Sequence, residues 1–142
     1  MPACLGLDYG LRRIGIAACD EDASLAFAVA THVEGRDGSV FTLLSTLIAE
    51  RAVSTVVVGL PLTTAGEEAE LAQKARAFAD KLSSRLEVEV VMWDERYSSQ
   101  EADRWLQQAH RPTREDRDAL AAEIILQSYL DSLAAAGPER ES

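Results

Sequence analysis

Ala3-Cys4-Leu5-Gly6-Leu7-Asp8-Tyr9-Gly10-Leu11-Arg12-Arg13-Ile14-Gly15-Ile16-Ala17-Ala18-Cys19 is two apolar runs on either side of a polar turn. The first run, Ala3–Asp8, has the length and composition of a short buried strand that closes on Asp8. Tyr9–Arg13 is the turn, with Gly10 at its tight point. Ile14–Cys19 is a second strand, and a connection this short permits only antiparallel pairing. Leu25–Thr31 reads as a third strand, so the chain opens with a three-stranded meander. His32–Gly38 is polar and glycine-bearing, and reads as a loop.

Beyond this meander the period changes. Val40, Leu43, Leu44, Leu47 and Ile48 recur at helical spacing within Val40–Arg51. Thr55–Leu60 is a continuous β-branched run, as expected of a strand covered on both faces, and Pro61 ends it. Glu68–Leu86 carries Leu71, Ala75, Phe78 and Leu82 on one helical face, and Val88–Trp93 is a fifth strand. Ser98 with Glu101, and Thr113 with Asp116, form capping-box patterns. The first opens a helix with Ala102, Trp105, Leu106 and Ala109, stopping before Pro112. The second opens a helix to about Ala135, with Ala121, Ala122, Ile125, Tyr129 and Leu133 inward and Gly137-Pro138 as its stop. The order β-β-β-α-β-α-β-α-α predicts an α/β fold: a five-stranded mixed sheet with helices on both faces. Residues 1–136 read as one domain and 137–142 as a frayed tail.

The 142 residues are 47% hydrophobic and 27% charged, the balance of a globular domain. No apolar run approaches the roughly 18 residues that a bilayer span needs. The first residues lack the basic and apolar regions of an export signal, so a cytoplasmic location is expected. Cys4 and Cys19, each in an apolar strand, read as buried thiols. The formal net charge of −10 argues against a protein that coats DNA through a basic surface. It is compatible with a site built on carboxylates, which is acidic until a metal binds. Lysine occurs only at Lys74 and Lys81. The remaining basic residues are arginines, which suit bidentate phosphate contacts, although a compositional bias would give the same count.

Three acids stand where a soluble surface does not require them. Asp8 shares a strand face with the small residues Cys4 and Gly6, and it would also serve as a cap for the following turn. Asp94 and Glu95 close the fifth strand, pointing to opposite sides, so one of them can face a shared site. Acids are also favoured before a helix N-terminus. Asp118 lies on the helical stripe of Ala122, Ile125 and Tyr129, where a carboxylate needs a cationic partner. Arg114 and Arg117 are local candidates for that partner. Carboxylates from two strands and one helix can converge on a divalent cation. Hard oxygen donors, with His32 and His110 isolated, favour Mg²⁺ or Mn²⁺ over zinc. Such a site can hold two ions about 4 Å apart, the arrangement used for phosphodiester cleavage.

Four motifs in order resemble the YqgF/RuvX family of RuvC-like nucleases. They are Asp8-Tyr9-Gly10 with Ile14-Gly15, Val58–Leu62, Asp94–Ser99, and Asp118 followed by Ala121-Ala122 and Ile124–Tyr129. Each alone is short; together they span almost the whole chain. The resemblance implies an RNase H-like fold and a Mg²⁺- or Mn²⁺-dependent nuclease. It implies a role in maturation of the 5′ end of pre-16S rRNA, or in resolving Holliday junctions. Carried over by motif, the catalytic and metal-holding acids are Asp8, Glu95 and Asp118, with Asp94 a rival for the second place. Arg12, Arg13, Arg96, Arg111 and Arg114 are the candidate phosphate contacts. The expected partner is nucleic acid: pre-rRNA, with the ribosome as a further partner, or structured DNA. A resolvase would need a homodimer to cut two strands symmetrically. The stretch His110–Arg117 departs from the glycine- and lysine-bearing loop common in the family. Two other classes compete: a non-catalytic ribosome-binding module, and an actin-like phosphate-binding domain, which would require a second domain.

Overall fold

Alternation in the two opening runs separates large side chains from small ones, and this asymmetry shapes the molecule. The computed structural model describes residues 3–10, 12–19, 25–33, 39–60, 66–94 and 114–140, with residues 66–69, 94, 114–116 and 135–140 in backbone only. The elements are β1 (Ala3–Tyr9), β2 (Arg13–Cys19), β3 (Phe27–Val33), α1 (Ser39–Arg51), β4 (Val53–Leu60), α2 (Gly66–Leu86), β5 (Glu89–Asp94) and α3 (Arg114–Arg140). The strands form one five-stranded sheet in the order β3-β2-β1-β4-β5. The β1–β2 and β2–β3 pairs are antiparallel, and β1–β4 and β4–β5 are parallel. The expected meander and mixed sheet are both present.

One face of the sheet carries the bulky residues. Leu5, Leu7, Ile14, Ile16, Val56 and Val58 pack there with Val40 and Leu44 of α1 and Phe78 and Leu82 of α2. The other face carries Cys4, Ala17, Cys19 and Val57, against Ala122, Ile125, Leu126 and Leu130 of α3. Small residues let α3 approach closely. A Cβ on Gly6 would lie 2.6 Å from Cβ of Leu126 and 3.0 Å from the Ala122 carbonyl oxygen. Cys4 and Cys19 are opposed across β1 and β2, and both are buried thiols. Their mutual hydrogen bond, then burial, push the Cys4 thiol far above its ordinary range.

The boundaries of β3 and α3 differ from the sequence reading. β3 begins at Phe27 and continues through His32 and Val33, which the polar composition had placed in a loop. The reason is pairing: Ile14 meets His32 and Arg13 meets Val33, so the ladder recruits both. A register shift at Ile16/Ala17 accommodates the extra residue. α1 and α2 end without glycine. Ala52 and Glu87 take the left-handed conformation instead, with φ of 53° and 50°, turning the chain into β4 and β5. α3 does not stop at Gly137-Pro138 but runs to Arg140. Packing holds the helix on the sheet as far as Leu130, and the continuation through Gly137-Pro138 is local propagation of a helix already formed. The helix expected after Ser98, with its cap, and the Thr113 cap lie outside the described residues.

Candidate active site

β1 ends on the side of the sheet covered by α3. Gly6 faces α3, and Asp8 follows two residues later in the same phase. Asp8 pairs with Gly15 of β2, so these two positions share a face. The main chain of Asp118 rests on Gly15. A Cβ there would lie 1.9 Å from the Asp118 carbonyl oxygen and 2.3 Å from its carbonyl carbon. Asp8 and Asp118, 110 positions apart in the chain, are therefore brought to one end of one face, across a glycine that gives no side chain.

Arg13 lies two residues before Gly15 and in phase with it. Its Nε donates to Oδ2 of Asp118 at 2.7 Å, a charge-assisted contact. The side chains are 34% and 23% exposed, so water reaches the pair. A pair this open is worth at most about 1 kcal/mol, and its main effect is on orientation. Sequence reasoning sought the partner of Asp118 at Arg114 or Arg117, on the same helix. The partner comes from β2, and Arg13 had been read only as a phosphate contact. The signal available was the shared phase of Arg13 and Gly15 once β1 and β2 were paired.

The far strand of the site is β5. Val91 and Trp93 belong to the α3 side, and Val90 and Met92 pack toward α1 and α2. Trp93 donates from Nε1 to Ser128 Oγ at 3.1 Å and meets Tyr129 edge-on, with ring centroids 5.5 Å apart. These contacts fix α3 relative to β5. The backbone of Asp94 is opposite Leu60, in phase with Val90 and Met92. Glu95, Arg96 and Arg111 lie outside the described residues, and Arg114 is described in backbone only. Arg12 is exposed in the turn.

Among the described residues, no three acids, histidines or cysteines group closely enough to hold a metal ion. Asp8 and Asp118 would offer two carboxylate donors to a cation there. The chemistry of the pair fits a hard divalent cation. Both side chains are carboxylates, and Oδ2 of Asp118 already accepts a cationic group, the Arg13 guanidinium.

The RuvX family, described as a Holliday junction resolvase, matches residues 2–132. A protein of Chloroflexus aurantiacus is 43% identical over 131 residues, covering 90% of this chain and 86% of its own length. One of Syntrophus aciditrophicus is 38% identical over 132 residues, covering 91% and 88%. Both carry the name "Putative pre-16S rRNA nuclease". Among solved structures, RuvC of Thermus thermophilus in complex with a Holliday junction substrate superposes with a TM-score of 0.65 at 13% identity, covering 93% of this chain and 96% of RuvC. The fowlpox virus Holliday junction resolvase gives 0.53 at 12% identity, covering 92% and 99%. These likenesses establish a RuvC-like, RNase H-type fold.

Proposed function

Because the chain belongs to the RuvX family, it is a nuclease, and we propose that Asp8, Glu95 and Asp118 are its catalytic, metal-holding carboxylates. The observation that carries this reading is the seating of the Asp118 backbone on Gly15, the cross-strand partner of Asp8. Strand phase supports Glu95 over Asp94. Trp93 belongs to the α3 side and the backbone of Asp94 is in the opposite phase, which disfavours Asp94. The cofactor is Mg²⁺ or Mn²⁺, two ions by the chemistry of such sites. Bound there, the cations supply an activated water and stabilise the leaving oxygen.

The chain's own residues do the rest. Asp8 and Asp118 present anionic oxygens from rigid elements, a strand end and a packed helix. Arg13 orients Asp118 and neutralises part of the site's charge. With Arg12, Arg96, Arg111 and Arg114 it offers donors to phosphates of the substrate. The substrate proposed is pre-16S rRNA, the RNA in the names of the relatives; cleavage at its 5′ leader and a cytoplasmic location are part of the same proposal. A four-way DNA junction is the second reading, favoured by the description of the family.

Cleavage of a structured pre-rRNA leader, single-stranded RNA, single-stranded DNA and a four-way junction, compared under one Mn²⁺ condition, tests both readings. The leader is expected to be cut fastest, and Asp8→Asn or Asp118→Asn should abolish cutting while the fold persists. Activity unchanged from the parent in both variants would refute the site. No metal-dependent cleavage of any substrate would favour a non-catalytic module.

A further inference from the structure

On the opposite face of the sheet from the carboxylates, a second surface begins at Tyr9, the neighbour of Asp8. Tyr9, Phe41, Phe78, Lys74 and Lys81 line a shallow pocket of about 250 Å³ between β1, α1 and α2. Tyr9 and Phe78 rings are 4.8 Å apart and Phe41 and Phe78 rings 5.4 Å apart, both tilted. Tyr9 and Phe41 are half-buried, so part of each ring meets solvent. Lys74 and Lys81 are the only two lysines of the chain, and they stand two helical turns apart on α2. Arg85 extends the same row one turn further, its guanidinium 4.8 Å from the centre of the Phe41 ring.

This concentration of positive charge is local. The chain carries a net −10, so general attraction does not draw a polyanion to it. The neighbouring groove on α2, lined by Arg76, Asp80 and Ser83, has mixed charge. A row of cations beside partly exposed aromatic rings is the combination that holds single-stranded nucleic acid, phosphates on the cations and bases on the rings. We propose that the Tyr9–Lys74–Lys81 surface binds a single-stranded stretch of RNA flanking the bond to be cut. Asp8 and Tyr9 are consecutive at the end of β1 and face opposite sides of the sheet, so the two surfaces adjoin at that strand end.

That the bound stretch flanks the bond to be cut rests on the nuclease reading, but the anisotropy test reads binding alone. Anisotropy of a fluorescein-labelled 20-nucleotide single-stranded RNA is measured with the intact chain in EDTA between 50 and 200 mM KCl. Lys74→Gln with Lys81→Gln is expected to raise Kd about tenfold and to lower the salt slope by about 1.4, two single-strand phosphate contacts. Lys74→Arg with Lys81→Arg should restore binding, and Arg76→Gln in the mixed-charge groove should leave it unchanged. The proposal is overturned by no measurable binding to the parent chain, by an unchanged Kd and slope in the double variant, or by an equal loss in Arg76→Gln. An equal loss on a duplex of the same length would overturn the single-strand assignment. Lysine-dependent binding without cleavage would refute the nuclease reading and leave this surface standing; cleavage with lysine-independent binding would do the reverse.

Discussion

At Gly15 a hydrogen stands where any other residue would put a carbon 1.9 Å from the Asp118 carbonyl oxygen. That atom is backbone, in a helix packed on the sheet, so it cannot rotate away. Gly15→Ala must lift the start of α3 from the sheet. The expected result is a loss of about 2 kcal/mol or more in urea unfolding, together with loss of cleavage. Arg13 poses a different question, because its pair with Asp118 is open to water. Arg13→Gln should change stability by less than about 1 kcal/mol. The same change removes a positive charge beside the proposed cation site and should tighten Mn²⁺ binding severalfold, as titration calorimetry would read. Weaker Mn²⁺ binding would mean that orientation of Asp118 outweighs repulsion.

Among elements, α3 does the most to assemble the site. Its apolar stripe was legible in the sequence because Ala122 and Ile125 repeat at helical spacing behind Asp118. The meander was legible because Gly10 marks the turn and the flanking runs are apolar. What was not legible depended on partners distant in sequence. His32 and Val33 join β3 only because β2 offers them ladder positions. Arg13 reaches Asp118 across 105 residues, a contact that local spacing cannot reveal. β3 lies at the sheet edge, and two acceptors of α3 receive donors from it and from the residue before it: Ala26 N–H meets Gln127 Oε1 at 2.8 Å and Ala28 N–H meets Glu123 Oε1 at 2.9 Å. The helix ends at Ala52 and Glu87 hold left-handed backbone without glycine. Ala52→Gly and Glu87→Gly are each expected to stabilise the fold by about 0.5–1 kcal/mol, read as a higher urea midpoint with unchanged slope.

At the scale of the molecule, the sheet divides two kinds of surface. The α3 side, built on small residues, carries the carboxylates at the end of β1. The α1/α2 side, built on large residues, carries the lysines and aromatic rings beginning one residue later. No helix of the described residues is long and apolar enough to cross a membrane. The proposed active site requires Asp8, Glu95 and Asp118 to share one cation site. The most direct measurement is Mn²⁺ binding to the purified chain, followed by electron paramagnetic resonance, in the parent and in Asp8→Asn, Glu95→Gln and Asp118→Asn. Each variant is predicted to remain folded by circular dichroism and to lose Mn²⁺ affinity by at least tenfold. Parent-like binding in both aspartate variants would contradict the claim.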